Sequence, residues 1–378
     1  MTFTTFFERL QDQFANNLPF AAYRNPGATA IKSFLQNDNT LYKTTDFTES
    51  GFVFAPFNLE DPSVLIPVDA SEIMECDSLD FKVKKSTNST SEATQIIKES
   101  SAKQDHIELV EKGVEAILDD AFEKVVLSRK EAVTISEAQQ IEVFKKLLSA
   151  YPTAYVYIWF HPQIGLWLGA TPETLLHVEN KQVKTMALAG TQVYKDTTDV
   201  IWQEKELHEQ QIVTDFIVSG LKNHLESITV SDVETTKAGS LLHLKTHISG
   251  RINSEESGLK NIIKTLHPTP AVCGMPKEIA KSFIIENELY KRTYYSGFLG
   301  ELNLKKSVSR NSNRRNVENN AYASIKTVSN LFVNLRCMEI QNNEAFIYIG
   351  GGITDGSNPT KEWEETVAKS QTMKKVLQ

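Results

Sequence analysis

The sequence predicts an α+β fold built as one large domain. Short β-rich runs such as 124–129 (KVVLSR) and 154–160 (AYVYIWF) alternate along the chain with stretches whose apolar residues have helical spacing, such as 105–120. Strand and helix signals are mixed throughout, and no sharp linker divides the 378 residues. Some α+β units reach this size, so a single domain is the simplest interpretation.

The N-terminal third carries the weaker signals. Residues 1–80 have the pattern of short strands joined by turns, and residues 85–103 are polar and Ser/Thr-rich, which indicates a surface loop or the lead-in to a helix. Residues 105–120 are predicted to be a helix because their apolar positions fall on one face. Those positions are Ile107, Val110, Val114, Ile117 and Leu118.

Beyond residue 122 the pattern predicts each element in turn. The expected elements are a strand at 124–129, a hairpin of 154–160 and 164–169 around His161-Pro162, a long helix over 199–225, an exposed polar loop at 305–329, a second hairpin of 331–340 and 344–354 across 341–343, and a final helix from 357–359. The last helix has a start signal, because a capping residue precedes a proline.

Composition excludes several classes of protein. The net charge is −8, with no Lys/Arg-rich stripe, so we expect no nucleic-acid partner. No window approaches 18 apolar residues and the first ten residues lack a signal-peptide pattern, so we expect a cytoplasmic protein without a membrane partner. Cys76, Cys273 and Cys337 form no CxxC pair, which favours a reducing compartment and argues against a sulfur-bound metal.

Two predicted helices carry carboxylates at matching spacing. Glu206 and Glu209 are three residues apart, as are Glu362 and Glu365, so each pair projects from one helix face. Two solvated acidic faces are the commoner explanation. The alternative is a site for a hard cation, since Mg²⁺ prefers oxygen ligands and often takes one or two carboxylates plus a substrate anion. Lys369, four residues beyond Glu365, could pair with that glutamate or with a substrate.

A glycine-rich segment, GGGITDG at 350–356, superficially resembles a phosphate-binding loop. Ser357-Asn358 stands where that loop requires Lys followed by Ser or Thr, and Asp355 replaces the third glycine of the dinucleotide-binding pattern. The segment is either a plain turn between a strand and a helix or an anion site in which backbone N–H groups approach a carboxylate.

Two ionisable residues lie at predicted strand ends. Lys124 begins an apolar strand, and Glu173 follows the segment GATP at 169–172. Such residues are usually just exposed. Burial would disfavour the charged form of each side chain, which would suit a base and an acid working near neutral pH.

Taken in order, these segments resemble the chorismate-utilising enzymes, a family that includes isochorismate, salicylate, anthranilate and aminodeoxychorismate synthases. The resemblance covers about residues 105–378, the expected catalytic region, while 1–104 is a less diagnostic part of the same domain. It rests on FEKVVLSR (122–129), GATPE (169–173), LAGT (188–191), EKELHEQ (204–210), HLKT (243–246), LHPTPAVCG (266–274), YSG (295–297), LR (335–336), GGGI (350–353) and EWEET (362–366).

The resemblance implies two stacked β-sheets flanked by helices, with the site in a deep cleft. It further implies a bound Mg²⁺ held by Glu209 and Glu365, with Glu206 and Glu362 supporting it through water. Lys124 corresponds to the lysine that activates water, and Glu173 to the general acid. The residues that would hold the substrate's carboxylates or line its ring pocket are Gly190, Thr191, His243, Ala271, Arg336, Gly350, Gly351, Gly352 and Lys369.

The chain departs from the family pattern in two places. Gln210 follows Glu209 where the family usually has histidine, which affects fine positioning only. The polar segment 305–329 is longer than the usual connection.

Among the family's reactions, the residues favour conversion of chorismate to isochorismate, the product being used for menaquinone or a catecholate siderophore. Members that use ammonia typically lack a lysine at the position of Lys124. Aminodeoxychorismate synthases carry a nucleophilic lysine where this chain has Ala189. No amidotransferase subunit is expected. Salicylate synthase, which shares the lysine and then eliminates pyruvate, and a non-catalytic ligand-binding relative stay open as alternatives.

Overall fold

The computed structural model describes residues 1–77, 93–135, 140–239, 241–253, 258–308 and 324–377. Over these residues the helices are α1 (Phe3–Ala15), α2 (Ala93–Leu118), α3 (Gln140–Ala150), α4 (Glu204–Leu221), α5 (Leu259–Leu266), α6 (Lys277–Asn287) and α7 (Pro359–Leu377), with a 3-10 turn at Val68–Ala70.

The strands over the same residues form two sheets. In chain order they are β1 (Phe20–Arg24), β2 (Ala30–Gln36), β3 (Tyr42–Thr44), β4 (Gly51–Ala55), β5 (Ser63–Pro67), β6 (Ser71–Asp77), β7 (Lys124–Thr134), β8 (Tyr155–His161), β9 (Gly165–Thr171), β10 (Thr174–Glu179), β11 (Gln182–Val193), β12 (Leu225–Val230), β13 (Glu234–Ala238), β14 (Leu241–Ile252), β15 (Gly274–Met275), β16 (Phe298–Val308), β17 (Ser324–Val333), β18 (Cys337–Gln341) and β19 (Glu344–Ile353).

The first sheet has the order β15-β7-β19-β18-β9-β8-β1-β2-β6. The second has the order β12-β14-β11-β10-β17-β16-β4-β5-β3, with β13 also pairing with β14. The two sheets pack face to face over an aromatic core. Tyr155 and Trp159 of the first sheet contact Phe332 and Phe54 of the second, with ring centroids 3.9 and 4.7 Å apart.

Helices cover the outer faces of both sheets. Apolar residues of α1, α3 and α7 pack on the first sheet, and those of α4 and α5 on the second. The helix α2 packs on α7 and β7. This arrangement confirms the predicted α+β domain of two stacked sheets flanked by helices. None of the described helices is long and apolar enough to cross a membrane.

The prediction of strands alone for residues 1–80 is wrong at its start, where α1 forms. Thr2 caps this helix by accepting a hydrogen bond from the Thr5 N–H at 3.2 Å. Three residues of the helix, Phe6, Phe7 and Leu10, are buried. The helical spacing of these apolar residues favours the helix, because all three can then face the first sheet.

The second hairpin was predicted with the wrong first strand. Residues 331–340 are not one strand: 331–333 end β17 in the second sheet, and 337–340 lie in β18 of the first. The chain crosses between the sheets at 334–336, where Arg336 has a φ of +47°. A run of apolar residues alone does not reveal such a crossing, since both halves are equally suited to a buried strand.

The bounds of other elements also differ from the predicted ones. The helix predicted over 199–225 is confined to α4, and the helix around 105–120 starts earlier, at Ala93, with Leu118 exposed rather than on its buried face. The exposed loop predicted at 305–329 is wrong at both ends, because 305–308 extend β16 and 324–329 belong to β17. Residues 309–323, like 85–92 of the other polar segment, lie outside the described residues.

Candidate active site

A cleft of about 1040 Å³ opens where strands of both sheets meet α4 and α7. The first sheet contributes β7 and β19, and the second contributes β11 and β14. Predicted site residues that line the cleft are Glu173, Gly190, Thr191, Glu206, Glu209, His243, Ala271, Arg336, Gly350, Gly351, Gly352, Glu365 and Lys369. Lys124 and Glu362 lie directly behind this lining, each in contact with a residue that forms it.

The two glutamate pairs lie at the cleft, with Glu206, Glu209 and Glu365 in its lining and Glu362 behind it. The side chain of Glu362 is 5% exposed and that of Glu209 is 16% exposed. Small residues on β19 let these carboxylates approach. A methyl group added at Gly351 would lie 3.6 Å from an oxygen of both Glu362 and Glu365, and one added at Gly352 would lie 2.6 Å from Glu209 Oε1. The solvated-face explanation therefore does not hold for Glu209 and Glu362, whereas Glu365 is 31% exposed.

Three of the four glutamates in these pairs each form an ion pair with a lysine. Lys124 Nζ lies 2.8 Å from Glu209 Oε1, and Lys205 Nζ lies 3.0 Å from Glu362 Oε1. The third pair is the predicted contact between Lys369 and Glu365, with a distance of 2.6 Å. Sequence reasoning missed Lys205, because a lysine between two glutamates on a helix has no pattern that separates it from a surface residue.

The helix start brings Glu206 into place. The Gln203 N–H donates to Glu206 Oε2 at 3.0 Å, which satisfies a free N–H at the first turn of α4. Further along the same helix, Gln210 is buried, and its Nε2 donates to the Ala187 carbonyl and to Thr246 Oγ1, both at 3.1 Å. Gln210 thus fixes α4 against β11 and β14 at the place where the family usually has histidine.

Lys124 is fully buried at the start of β7. Its Nζ forms the ion pair with Glu209 Oε1. Although burial would raise it, the pKa of Glu209 is held below its usual range, chiefly by Lys124.

Glu173 is buried just after β9, with its backbone N–H directed at Thr171 Oγ1 at 3.3 Å. Burial raises the pKa of Glu173 to about 8, and the positive charges of Lys124 and Arg336 oppose this rise. At this pKa the carboxyl is mainly protonated at neutral pH, the state expected from the sequence only if Glu173 were buried.

Arg336 and His243 form a fixed pair at the other side of the cleft. Arg336 Nη2 lies 2.6 Å from His243 Nε2, and His243 Nδ1 lies 2.7 Å from the Gly190 carbonyl. Since a guanidinium can only donate, Nε2 accepts and Nδ1 carries the proton. Burial, followed by the charge of Arg336, lowers the pKa of His243 to about 3, so the imidazole is neutral.

Backbone groups of β19 also face the cleft. The Val126 N–H donates to the Cys273 carbonyl, away from β19, so the opposite residue Gly352 directs its own N–H and carbonyl away from β7. Gly350 is oriented in the same way, and its carbonyl accepts a hydrogen bond from Lys369 Nζ at 3.0 Å. The strand β18 does not extend this far, which leaves these N–H groups free to approach an anion.

Tyr295 is a further lining residue that was quoted in the sequence pattern but given no role. A methyl group added at Gly350 would lie 2.8 Å from its phenol oxygen, so the ring abuts the glycine strand. Within the described parts of the chain, no three His, Cys, Asp or Glu side chains converge as a ready-made metal cluster. Carboxylate oxygens of Glu209, Glu362 and Glu365 nevertheless lie at or directly behind the cleft lining, and oxygen is the ligand type that Mg²⁺ prefers.

A buried proton donor, a buried lysine, and cationic and carboxylate groups in one cleft define an enzyme site for a small anionic molecule. The family model described as chorismate binding enzyme matches residues 68–308 and 322–378. The chain belongs to this family of chorismate-binding enzymes.

Curated relatives agree with this assignment, and a solved structure shows the same fold. Isochorismate synthase EntC from Escherichia coli (strain K12) is 28% identical over 269 residues, which cover 68% of this chain and 62% of that protein. Isochorismate synthase DhbC from Bacillus subtilis (strain 168) is 26% identical over 285 residues, 71% of this chain and 66% of that protein. The matched region thus spans slightly under two thirds of these relatives. The structure of MenF, the menaquinone-specific isochorismate synthase from Escherichia coli, superposes with a TM-score of 0.72 at 18% identity, covering 95% of this chain and 89% of that one.

Proposed function

We propose that the protein is an Mg²⁺-dependent isochorismate synthase, which interconverts chorismate and isochorismate. The observation that carries the proposal is that Lys124 and Glu173 lie at one cleft, where Lys124 would act as the base and Glu173 as the acid. Each is buried, and Glu173 is held in its protonated form near neutral pH. Relatives named isochorismate synthase match 68% and 71% of this chain, which supports the proposal.

In the proposed reaction, water adds at ring carbon 2, the double bond shifts, and the hydroxyl leaves from carbon 4. Lys124 takes the proton from the attacking water. Glu173 gives its proton to the leaving hydroxyl, so one water is consumed and one is released. A positioned acid and base of this kind contribute about 10²- to 10⁴-fold in rate.

The substrate carries two carboxylates, and the cleft offers matching donors. Arg336, Lys369 and the N–H groups of Gly350 and Gly352 would hold them. Glu209 and Glu365 would hold Mg²⁺, with Glu206 and Glu362 as supports. When bound, this ion supplies charge neutralisation between the glutamates and a substrate carboxylate.

Product analysis tests the proposal directly. Purified protein is incubated with chorismate and Mg²⁺, and the products are separated by chromatography. We expect a plateau with both isomers present, because the two differ only in hydroxyl position. A ratio within about tenfold corresponds to about 1.4 kcal/mol.

Other products would identify a different member of the family. Stoichiometric pyruvate together with fluorescent salicylate would reject the proposal in favour of a salicylate synthase. An amine product formed with ammonium would reject both. No change in chorismate would favour a ligand-binding relative without catalysis.

A further inference from the structure

A fully buried ion pair lies behind the wall of the cleft, in the connection between α6 and β16. Arg292 Nη2 and Nε donate to the two carboxylate oxygens of Glu288 at 2.6 and 2.8 Å. The two side chains are 2% and 1% exposed. Removing two charges from water is costly, and apolar residues of similar volume often replace such pairs without loss of stability. The pair therefore calls for an explanation other than stability.

The contacts of the pair lie along the free edge of β7. Among the described residues, two of β7 pair with the short strand β15, and the backbone further along β7 has no neighbouring strand on that side. There the Val126 carbonyl accepts from Arg292 Nη2 at 2.6 Å. The Ser128 N–H donates to Glu288 Oε1 at 2.8 Å, and the Ser128 hydroxyl contacts the same oxygen at 2.6 Å. The ion pair thus supplies the hydrogen bonds that a longer strand would have made.

The Arg292 guanidinium also binds the segment 271–272, which forms part of the cleft wall. Arg292 Nη1 donates to the Val272 carbonyl at 2.8 Å. Val126 and Val272 both line the cleft, and Ala271, the predicted ring-pocket residue, is next to Val272. Because Lys124 lies two residues before Val126, one side chain fixes the strand that carries the proposed base relative to the segment that carries the pocket wall.

We infer that Glu288 and Arg292 are positioning residues for the reaction, an inference that rests on the proposed isomerase function. Neither residue lines the cleft. Both act through β7 and the 271–272 segment, setting the distance between Lys124 and a substrate held against Ala271. A misplacement of about 1 Å between reacting groups can cost about 10²-fold in rate, so a small shift of β7 is enough to affect turnover.

The test compares variants of this pair with a matched variant of a second buried carboxylate. Arg292→Lys keeps the charge but loses the planar fork that bridges two carbonyls and a carboxylate. The double variant Arg292→Met/Glu288→Leu removes both charges and leaves neither unpaired. In both we expect kcat to fall at least tenfold while KM changes less than threefold, measured well below the melting temperature of each variant.

Glu301 provides the control. It is also fully buried, and it accepts hydrogen bonds from Tyr23 at 2.6 Å and Asn330 at 2.8 Å, but it does not line the cleft. Glu301→Gln should lower the melting temperature and leave kcat within twofold of wild type. If the Arg292→Met/Glu288→Leu and Arg292→Lys variants keep wild-type kcat, or if Glu301→Gln loses as much, the positioning role is rejected.

Different results would reject the positioning role and the proposed function. A wild-type protein that turns over chorismate, together with fully active Arg292→Lys, contradicts only the positioning role. A wild-type protein without turnover contradicts both, since no reaction is then left for the pair to support. If the double variant does not fold, Arg292→Lys and Glu288→Gln replace it. The positioning role then requires kcat to fall at least tenfold in both, with KM changed less than threefold.

Discussion

Lys124 Nζ and Glu209 Oε1 lie 2.8 Å apart, so the proposed base and a proposed metal ligand form one buried ion pair. They come from different layers, since Lys124 begins β7 in the first sheet and Glu209 lies on α4, which packs on the second. Gly352 allows this contact, because a methyl group added there would lie 2.6 Å from Glu209 Oε1 and 3.1 Å from Lys124 Cε. Removing either partner leaves the other charge buried and unpaired, which is more costly than the pair itself.

Lys124→Ala should abolish hydration while chorismate binding is largely retained. The loss of the proposed base should lower kcat by about 10²- to 10⁴-fold. Turnover is followed by chromatography, and binding is measured separately by calorimetry. Lys130→Ala is the matched control, because Lys130 lies on the same strand but is exposed. Near-wild-type turnover by Lys124→Ala would exclude the lysine as the base.

Gly352→Ala should reduce turnover at least tenfold with little loss of stability. The added methyl group would lie 2.6 Å from Glu209 Oε1 and 3.1 Å from Lys124 Cε, so the ion pair has to shift. Gly356→Ala is the control in the same segment, since nothing lies within 4 Å of a methyl group there. Equal kcat values for the two variants would show that the spacing at Gly352 is not critical.

The pKa of Glu173 gives the reaction an upper pH limit. Burial raises this pKa to about 8, and the reaction needs the protonated form, so kcat should be level below pH 8 and fall about tenfold per pH unit above it. Glu173→Gln should lower kcat by about 10²-fold or more, and its residual activity should lack this decline. A decline of the same shape in Glu173→Gln would assign it to a different group.

The fold class and most site residues were predictable from the sequence, for physical reasons. Runs of apolar residues predict strands correctly where a strand is buried along almost its whole length, as in β8 and β9. Residues with chemical roles lie in short segments of distinctive composition, so Glu173, Glu209 and Arg336 could be placed in one cleft through the family resemblance.

What was not predictable depends on contacts distant in sequence. The crossing at 334–336 and the pairing of Lys205 with Glu362 follow from how the sheets and helices meet, and no local pattern carries that information. The same holds for Arg292, whose partners Val126 and Val272 lie 166 and 20 residues away along the chain.

Glu209→Gln and Glu365→Gln should each weaken the dependence of turnover on Mg²⁺. Either change removes one negative charge from an oxygen-only donor set, so a higher Mg²⁺ concentration, by tenfold or more, should be needed for half-maximal activity. Glu364→Gln, on the exposed face of α7 next to Glu365, is the control and should titrate like wild type. Binding of Mn²⁺ followed by electron paramagnetic resonance separates metal affinity from chemistry. If both variants keep the wild-type Mg²⁺ response and Mn²⁺ affinity, the cation binds elsewhere in the cleft, and the glutamates then serve mainly as partners of Lys124 and Lys369.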